Sequence, residues 1–355
     1  MQNVTWPIYK RLLQRSKRPI LVGPFKSELG FEALYWIPFV QSLGLAPERI
    51  IPVTRGGAAY WYGSPSGVEI YDLRDPKDVR IENILQHMKT GMLKQNAITP
   101  FDRALLTDAA KAVGLSKYHV LHPSIMYTLL RPFWTGVRGF DWVLPYLTKL
   151  EKKEGQWVRS LTNLRAPAVP EGLPKNYCVA RFYARTTLPN ADITQQLARE
   201  CLTQVAAHQP VILLNPSVHA DEHIDLPVKD LPNVFKLSDL IQTTPRDNLL
   251  AQSAVIAGAT GFIGTYGGVA QLALRLGKPS VSFYLEWKGT ALAHKQLSET
   301  ISLQTGVSFL TVKLMDIPLL KAVAPDLVLQ HASSSQQRRP QQPAPEVSTH
   351  VEAPA

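Results

Sequence analysis

The sequence predicts an α/β protein with two Rossmann-like domains. Short apolar runs of strand length alternate with longer stretches of helical periodicity, which is typical of parallel sheets covered by helices. Glycine-rich turns follow several of these runs. Residues 161–176 contain three prolines and no periodic pattern, so they are interpreted as a linker between residues 1–160 and residues 177–332.

The composition is that of an ordinary globular protein. A length of 355 residues accommodates two domains, and 45% of the residues are hydrophobic. No apolar run reaches the roughly 18 residues that a membrane span requires. The basic N-terminus is not followed by an apolar segment of the kind found in secretory signals. Two cysteines exclude a disulfide framework. We therefore expect a cytoplasmic protein.

The positive charge is concentrated in the first half of the chain. Residues 1–172 contain 23 Lys and Arg against 14 Asp and Glu, whereas the remainder contains 15 against 14. We expect the first half to face an anionic acceptor or the inner face of an anionic membrane. A solvated basic surface without a partner is the alternative. The cations are scattered and no nucleic-acid motif is present, so we expect no nucleic-acid partner.

In the first domain, the pattern predicts a first strand that leads through a glycine-containing loop into a helix. Glu28 lies in this loop, and Glu32 lies at the start of the helix. Either carboxylate is a candidate general base, and either could instead be a partner of the helix dipole. The predicted elements are strands at 18–23, 49–54 and 68–73, a helix at 31–43, and mainly helical structure over 77–160.

A second loop of the first domain combines glycines with aromatic residues. Aromatic faces stack on the apolar faces of sugar rings, so this loop is interpreted as an acceptor site. The alternative is that the aromatic side chains belong to the core. The candidate acceptor-binding residues are Arg55, Gly56, Gly57, Tyr60 and Trp61.

The second domain repeats the alternation of strands and helices. Strands are predicted at 177–184, 210–214, 233–237, 261–266, 279–285 and 308–312. Helices are predicted at 191–208, 248–258, 269–276, 291–305 and 318–323. The remaining residues, 333–355, are rich in Pro, Gln and Ala and have few apolar side chains, so we expect a disordered tail.

A turn late in the second domain has the composition of a phosphate site. A predicted strand ends at a glycine pair, and a helix begins directly after it. The free N–H groups and the positive dipole end of such a helix favour an anion. A tight turn without a ligand is the alternative. The residues concerned are Gly264, Thr265, Tyr266, Gly267 and Gly268.

Other side chains of the second domain follow predicted strands and are assigned to the same donor site, because ligands bind beyond the carboxyl ends of parallel strands. These are Arg181, Arg185, Asn215 and Glu286. His294 is a third catalytic candidate, acting on the leaving group. His219, Asp221 and His223 have the chemistry of metal ligands, but no further ligand cluster is visible and a surface loop is preferred. We therefore predict no metal.

Three stretches, residues 23–38, 177–189 and 246–284, together resemble the GT-B glycosyltransferases. The last two are similar to the arginine-bearing strand end and the G-T-Y/F-small-small turn of fucosyltransferase-like members. The H-x-R-R-x-D motif of those members is missing, so neither fucose nor guanine is carried over. The resemblance covers about residues 18–325. It implies two domains facing each other across a cleft, with the acceptor on the first and the nucleotide-sugar on the second.

By this resemblance, the chain is expected to be a glycosyltransferase that acts without a metal or another cofactor. The nucleotide-sugar is a co-substrate, and the acceptor is a bacterial-type surface glycan or glycolipid. Two alternatives remain open: a sugar-nucleotide epimerase of similar form, and a glycan-binding scaffold without turnover.

Overall fold

The computed structural model describes residues 2–90, 95–153, 156–161, 164–185, 187–215, 224–227, 231–287 and 290–316. It contains two parallel sheets, one from the first half of the chain and one from the second, with helices packed against both. The predicted α/β architecture of two Rossmann-like units is confirmed. Among the described helices, none combines the length and the apolar character needed to cross a membrane.

The first half begins with a helix and then alternates between strands and helices. A single π-helical turn, Glu32–Trp36, joins α2 to α3, so residues 29–42 form one continuous helical run. The helices are α1 (Gln2–Arg15), α2 (Leu29–Phe31), α3 (Ile37–Ser42), α4 (Ile70–Leu73), α5 (Pro76–Thr90), α6 (Pro100–Ala112), α7 (Pro123–Trp134) and α8 (Phe140–Leu147). The strands are β1 (Ile20–Val22), β2 (Ile50–Thr54), β3 (Val68–Glu69), β4 (His119–Leu121), β5 (Lys149–Lys153) and β6 (Gln156–Ser160).

The first sheet has the strand order β3-β2-β1-β4, and all of its pairs are parallel. One of its two inner strands, β1, is fully buried because every residue from Ile20 to Val22 is apolar and both faces are covered. The order reverses between β1 and β4, so a crevice lies beyond their carboxyl ends. The loop of residues 23–28, which joins β1 to α2, enters this crevice. Strands β5 and β6 form a separate antiparallel hairpin.

The second half contains the larger sheet. Its helices are α9 (Asp192–Ala206), α10 (Leu237–Leu240), α11 (Asn248–Gly258), α12 (Gly268–Arg275) and α13 (Ala291–Thr305). Its strands are β7 (Cys178–Arg181), β8 (Tyr183–Ala184), β9 (Val211–Leu213), β10 (Ile224–Asp225), β11 (Val234–Lys236), β12 (Phe262–Thr265), β13 (Ser280–Tyr284) and β14 (Phe309–Lys313).

The larger sheet has the order β11-β9-β7-β12-β13-β14 and is parallel throughout. Counted from β7, this is the doubly wound order 3-2-1-4-5-6. The order reverses between β7 and β12, so the carboxyl ends of these two strands border the crevice where ligands bind in such sheets. The antiparallel pair β8–β10 flanks this edge.

Several elements differ from the sequence prediction. The strand expected over 68–73 ends at Glu69, because the Glu69 side chain accepts a hydrogen bond from Tyr71 N and so caps the short helix α4. The helical expectation for 77–160 missed β4 and the hairpin β5–β6, and α1 was not predicted. The described residues within 161–176 form no helix or strand. The helix expected at 318–323 and the tail at 333–355 lie outside the described residues.

The two halves share one hydrophobic cluster. The helical run of residues 29–42 packs against α12 and α13, and its side chains Phe31, Tyr35 and Trp36 are buried with Val269 and Leu297. Because apolar burial is roughly proportional to the area removed from water, this shared core ties the two sheets together. The elements that border the cleft are thus also elements of the common core.

A buried polar network holds the loop that follows β1. Lys26 Nζ lies 2.6 Å from Asp102 Oδ1 on α6, and both side chains are inaccessible to water. His122 Nε2, beyond β4, lies 3.5 Å from the other oxygen of Asp102. Gln95 accepts hydrogen bonds from the backbone N–H groups of Lys26 and Ser27. Buried charges are tolerated only when they are paired in this way.

Lys26→Met should destabilise the fold by about 3–5 kcal/mol, because it leaves the Asp102 carboxylate buried without its cation. Urea unfolding monitored by circular dichroism measures the change. Lys77→Met, at an exposed position of α5, is the matched control and should have a small effect. The double variant Lys26→Met/Asp102→Asn should be more stable than Lys26→Met alone. Equal stability of Lys26→Met and the wild type would show that the pair does not hold the loop.

Candidate active site

A cleft lies between the two halves at the carboxyl ends of β7 and β12. Its lining comes from both halves of the chain, so neither sheet alone forms it. The first half contributes Glu28, Leu29, Gly30 and Phe31, and the second half contributes Arg181, Tyr183, Arg185, Gly268, Val269, Gln271 and His294. The position agrees with the place where the strand order of the larger sheet reverses.

The first turn of α12 faces this cleft. Gly267 precedes the helix, and a side chain at this position would collide with the Tyr183 hydroxyl and with Arg185. The absence of a side chain therefore lets Tyr183 and Arg185 lie directly over the turn. The helix begins at Gly268 with N–H groups that have no intrahelical acceptor. These groups and the helix dipole give the cleft a positive potential.

Two glycines bring the two halves into close contact at the floor of the cleft. A Cβ atom at Gly268 would lie 2.9 Å from the backbone nitrogen of Gly30, and one at Gly30 would collide with the side chain of Gln271. The start of the helical run at residues 29–42 therefore meets the start of α12. Two helix N-termini border the same space, which reinforces its preference for negative charge.

Two arginines of the second half add formal positive charge. Arg185 Nη1 donates to Tyr266 O at 3.2 Å, so the guanidinium group lies across the turn before α12. Arg185 Nε is buried and, within the described part of the chain, has no hydrogen-bond acceptor. Arg181 Nε donates to Asp225 Oδ1 at 3.0 Å, and its guanidinium carbon lies 5.0 Å from the centre of the Tyr183 ring. Arg181 is thus partly neutralised, whereas Arg185 has donor capacity left for an anion.

Glu28 lies on the opposite wall and is half-buried. It is the N-cap residue of α2, but its side chain makes no capping hydrogen bond to that helix. Of the described residues that line the cleft, it is the one with a carboxylate. Its negative charge acts on His294 and on Tyr127, which places it within electrostatic range of both.

Glu32 does not line the cleft. It is fully buried, and its carboxylate accepts hydrogen bonds from Thr54 at 2.7 Å, from Arg55 at 2.9 Å and from Tyr62 at 2.9 Å. Burial raises the pKa of Glu32, while the charge of Arg55 and these hydrogen bonds oppose the rise. These contacts give Glu32 a structural role in the first half. They correct the expectation that Glu32 serves as a reserve base.

His294 is among the residues that line the cleft. The ring centroid lies 4.7 Å from that of Phe31, Nδ1 lies 2.8 Å from the Tyr35 hydroxyl, and Nε2 lies 3.1 Å from Thr290 Oγ1. Burial lowers the pKa of His294 to about 3; the Glu28 carboxylate opposes this shift and Arg185 adds to it. The imidazole is therefore neutral at physiological pH, and both of its nitrogens are engaged by hydroxyl groups.

Three residues of the predicted phosphate turn have structural roles instead of facing the cleft. Thr265 Oγ1 accepts from Tyr183 N at 2.9 Å and donates to Tyr183 O at 3.0 Å, so its hydroxyl is already engaged. Tyr266 is buried, and its hydroxyl donates to Ala291 O. Gly264 lies in β12, where a side chain would collide with the carbonyl oxygen of Arg181. These contacts correct the expectation that the Thr265 hydroxyl binds a ligand.

Asn215 and Glu286 are not among the residues that line the cleft. The Asn215 amide exchanges hydrogen bonds with Ser238 at the start of α10, with its nitrogen 2.8 Å from Ser238 Oγ. Glu286 follows β13 and is exposed. Among the described residues, the lining of the cleft therefore includes the ends of β7 and β12 but neither Asn215 nor Glu286, whose assignment to the donor site stays a prediction.

The loop predicted to bind the acceptor instead joins the two halves. Arg55 is buried in an ion pair with Glu32, and the N–H groups of Gly56 and Gly57 donate to the Glu69 carboxylate. Gly56 O accepts from two N–H groups in the first turn of α11, those of Leu249 and Leu250, at 2.9 Å each. The alternative interpretation, that the aromatic side chains belong to the core, describes this loop better. Tyr60 packs under the Arg165 guanidinium group at 4.4 Å, and Trp61 is buried with its Nε1 2.9 Å from Ser253 Oγ.

Within the described residues, no group of three or more His, Cys, Asp and Glu side chains is arranged to hold a metal ion. The candidate ligands His219, Asp221 and His223 lie outside those residues. Cys178 and Cys201 are both buried and unbonded to each other.

Comparison with known proteins finds several solved structures that are similar to this chain, and three of them are described below. Escherichia coli heptosyltransferase WaaC with ADP is 13% identical, with 78% of this chain and 90% of that chain covered and a TM-score of 0.42. The iron-containing dodecameric glycosyltransferase TibC from enterotoxigenic E. coli H10407 is 13% identical, with 76% and 61% covered and a TM-score of 0.41. The glycosyltransferase SnogD from Streptomyces nogalater is 12% identical, with 90% and 93% covered and a TM-score of 0.33.

These three proteins are glycosyltransferases by name, the class that the sequence resemblance implied. The sequence matches no protein-family model. It also matches no curated protein.

Sequence reasoning missed residues of the cleft that carry no motif of their own. Tyr183, Gln271 and Phe31 line it, and Gly30 forms its floor with Gly268. Gly30 lies within the stretch that resembles the GT-B enzymes, and its place directly before the helix predicted at 31–43 was the available signal. Its contact with Gly268 joins residues 238 positions apart, which no local pattern reveals.

His294 should contribute to the pH dependence of stability. Because its folded pKa of about 3 is below the ordinary value of 6.5, the stability present above pH 6.5 is lost as the pH falls below it. Between about pH 7.5 and about pH 5, the wild type should lose about 2 kcal/mol of unfolding free energy more than His294→Gln does. Urea unfolding at both pH values measures this difference. Equal pH dependence in the two proteins would contradict a neutral, buried imidazole.

Proposed function

We propose that the chain is a glycosyltransferase that transfers a sugar from a nucleotide-sugar donor to a hydroxyl group of a glycan or glycolipid. One observation carries the proposal. Cations and a helix N-terminus from the second half and a carboxylate from the first half line the same cleft, at the strand-order reversal of the larger sheet. This arrangement combines an anion site with a proton acceptor on opposite walls.

The diphosphate of the donor would bind at the start of α12. Arg185 lies over the turn, its buried Nε has no acceptor among the described residues, and Gly267 lets Arg185 and Tyr183 approach the start of the helix closely. The guanidinium groups and helix N–H groups stabilise the negative charge that builds up on the leaving group as its bond to the sugar breaks. These groups supply the counter-charge in the proposal, which therefore includes no metal and no cofactor besides the nucleotide-sugar.

Glu28 would act as the general base. The acceptor oxygen forms a bond to the anomeric carbon, the bond from that carbon to the phosphate oxygen breaks, and the electron pair leaves with the nucleoside diphosphate. The proton of the acceptor hydroxyl passes to the Glu28 carboxylate. Glu28 suits this role because it is half-buried and lies across the cleft from the arginines.

His294 is better suited to positioning than to proton donation. Its imidazole is neutral, and its two nitrogens contact the hydroxyl groups of Tyr35 and Thr290. We propose that it orders the wall behind Glu28 by joining the helical run of residues 29–42 to α13. This replaces the expectation that His294 protonates the leaving group.

A ligand screen followed by a turnover assay tests the function. Thermal unfolding with UDP, GDP, CMP, ADP and dTDP should identify at least one nucleotide that raises Tm, because a ligand that binds only the native state stabilises it. ADP belongs in the panel as the nucleotide named with the WaaC structure. The matching nucleotide-sugar is then incubated with and without glycan and glycolipid acceptors.

The outcomes of that assay separate the alternatives. Acceptor-dependent release of the nucleoside diphosphate supports a glycosyltransferase, and retention of turnover in excess EDTA supports metal independence. Conversion of the nucleotide-sugar without release of nucleotide identifies an epimerase. Glycan binding without any turnover of the donor identifies a scaffold. Absence of any nucleotide-dependent change in Tm would overturn the proposed donor site.

Arg185→Ala should weaken binding of the nucleoside diphosphate by about tenfold or more, because a charge-assisted hydrogen bond contributes about 1.5–3 kcal/mol. Isothermal titration measures the change in Kd. Arg199→Ala is the matched control, since Arg199 is an exposed arginine of the second half on α9, away from the cleft lining. The control should bind as the wild type does. Equal Kd values for all three proteins would remove Arg185 from the donor site.

Glu28→Gln should lower turnover by about 10²–10⁴-fold, because the amide retains the shape of the side chain but cannot accept the proton. Steady-state release of the nucleoside diphosphate measures kcat, and the Kd of the nucleotide should not change. Glu48→Gln, at an exposed carboxylate of the first half, is the control and should keep normal turnover. Near-normal turnover of Glu28→Gln would remove it from the mechanism, and loss of nucleotide binding would reassign it to positioning.

A further inference from the structure

The outer face of α1 combines exposed apolar side chains with cations. Ile8 is 67% exposed and Leu12 is 48% exposed, and the side chains of Arg11 and Arg15 are also exposed. Positions 8, 11, 12 and 15 lie on one face of a helix, because residues three and four apart are neighbours on its surface. The face is therefore amphipathic over two turns and directed to solvent.

The inner face of α1 docks the helix on the first sheet. Leu13 is fully buried, the ring of Trp6 stacks on Phe39 at 5.4 Å, and the Tyr9 hydroxyl donates to Val120 O at 2.5 Å. Gln14 Nε2 donates to Leu43 O at 2.9 Å. Changes on the outer face should consequently leave the packing of α1 intact.

The charged residues of α1 itself are all cations. No Asp or Glu precedes Glu28, although the first 27 residues contain six Lys and Arg. Lys17 and Arg18 are exposed beyond the end of the helix. In the described part of the chain, none of the exposed cations at positions 11, 15, 17 and 18 is in an ion pair.

Neighbouring groups confirm the positive character of this end of α1. Arg49 donates from Nη2 to Leu13 O at 2.8 Å and from Nε to Arg18 O at 3.2 Å, which adds another cation to the helix end. The pKa of His119 is lowered by burial and by the charges of Arg18 and Arg49. Glu48 is exposed and directly precedes Arg49, so one carboxylate adjoins this group of cations along the chain.

A second exposed apolar stripe on α5 lacks this charge pattern. Ile81 is 54% exposed and Leu85 is 45% exposed, close to the values for Ile8 and Leu12 and with the same spacing of four residues. However, the acidic residues Asp78 and Glu82 are interleaved with the cations of that helix. The pair Ile81 and Leu85 therefore has an exposure similar to that of Ile8 and Leu12 but a different surrounding charge.

We propose that the outer face of α1, together with Lys17 and Arg18, binds the surface of an anionic lipid bilayer. Ile8 and Leu12 insert among the headgroups and the upper acyl chains, and the cations contact lipid phosphates. A nucleic acid would engage the cations but would leave the exposed apolar side chains without a partner. The proposal rests on no residue of the cleft and is independent of the proposed transferase activity.

Co-sedimentation of the full chain with vesicles tests this surface. Vesicles of about 30% phosphatidylglycerol in phosphatidylcholine should bind the protein, and pure phosphatidylcholine vesicles should bind it far more weakly, since each cation near an anionic membrane contributes about fivefold to the affinity. Arg11→Gln/Arg15→Gln should therefore reduce binding by about tenfold or more. Ile8→Asp/Leu12→Asp should abolish it.

The stripe on α5 supplies the matched control. Ile81→Asp/Leu85→Asp makes the same chemical change at the same spacing and should bind as the wild type does. Circular dichroism and Tm verify that each variant is folded. A folded Ile8→Asp/Leu12→Asp variant that still binds, an equal loss in the α5 variant, or no binding of the wild type would each overturn the proposal. Binding to a DNA duplex separates a membrane surface from a general polyanion surface. If both aspartate variants bind DNA equally and the wild type binds vesicles no more tightly than DNA, the surface binds polyanions in general and the proposal is overturned.

Discussion

The contact between Gly30 and Gly268 constrains the rest of the site. It brings the first turn of the helical run of residues 29–42 against the first turn of α12, and neither position leaves room for a side chain. The positive ends of two helix dipoles then meet, which is unfavourable unless negative charge lies between or beside them. Glu28 supplies such charge from the first half. A bound diphosphate would supply more negative charge. The same contact therefore joins the two halves and makes the potential beside it favourable for an anion.

The two sheets share a strand order but use it differently. The order β3-β2-β1-β4 of the first sheet is repeated by β11-β9-β7-β12 in the second, so each has a crevice where the order reverses. In the first sheet, the crevice is filled by the buried side chains of Lys26, Asp102 and His122, which hold the loop bearing Glu28. In the second sheet, the lining of the cleft includes Gly268, and Arg185 lies over the turn at Gly267. The strand order gives each sheet a crevice, and buried side chains occupy the crevice of the first sheet.

The excess positive charge of the first half does not lie in the cleft. The arginines that line the cleft, Arg181 and Arg185, come from the nearly neutral second half, whereas the first half contributes a carboxylate to it. Part of the excess lies on α1, which is anchored by its inner face and exposes cations beside Ile8 and Leu12. The two charge patterns act at different places because they face different anions in our proposals, a diphosphate and a membrane.

The sequence by itself determined the architecture, because strands and helices with buried faces impose periodicities that survive in one dimension. Helices 248–258 and 291–305 were predicted to the residue, and the approach of Arg185 to the turn at Gly267–Gly268 followed from strand ends. Only the tertiary structure decided which polar side chains remain available to contact a ligand. Thr265, Glu32 and Arg55 have the chemistry of site residues, but partners distant in the chain engage their side chains. The contact of Gly30 with Gly268 was equally invisible, since a short pattern describes a residue's neighbours along the chain and not those that folding brings against it.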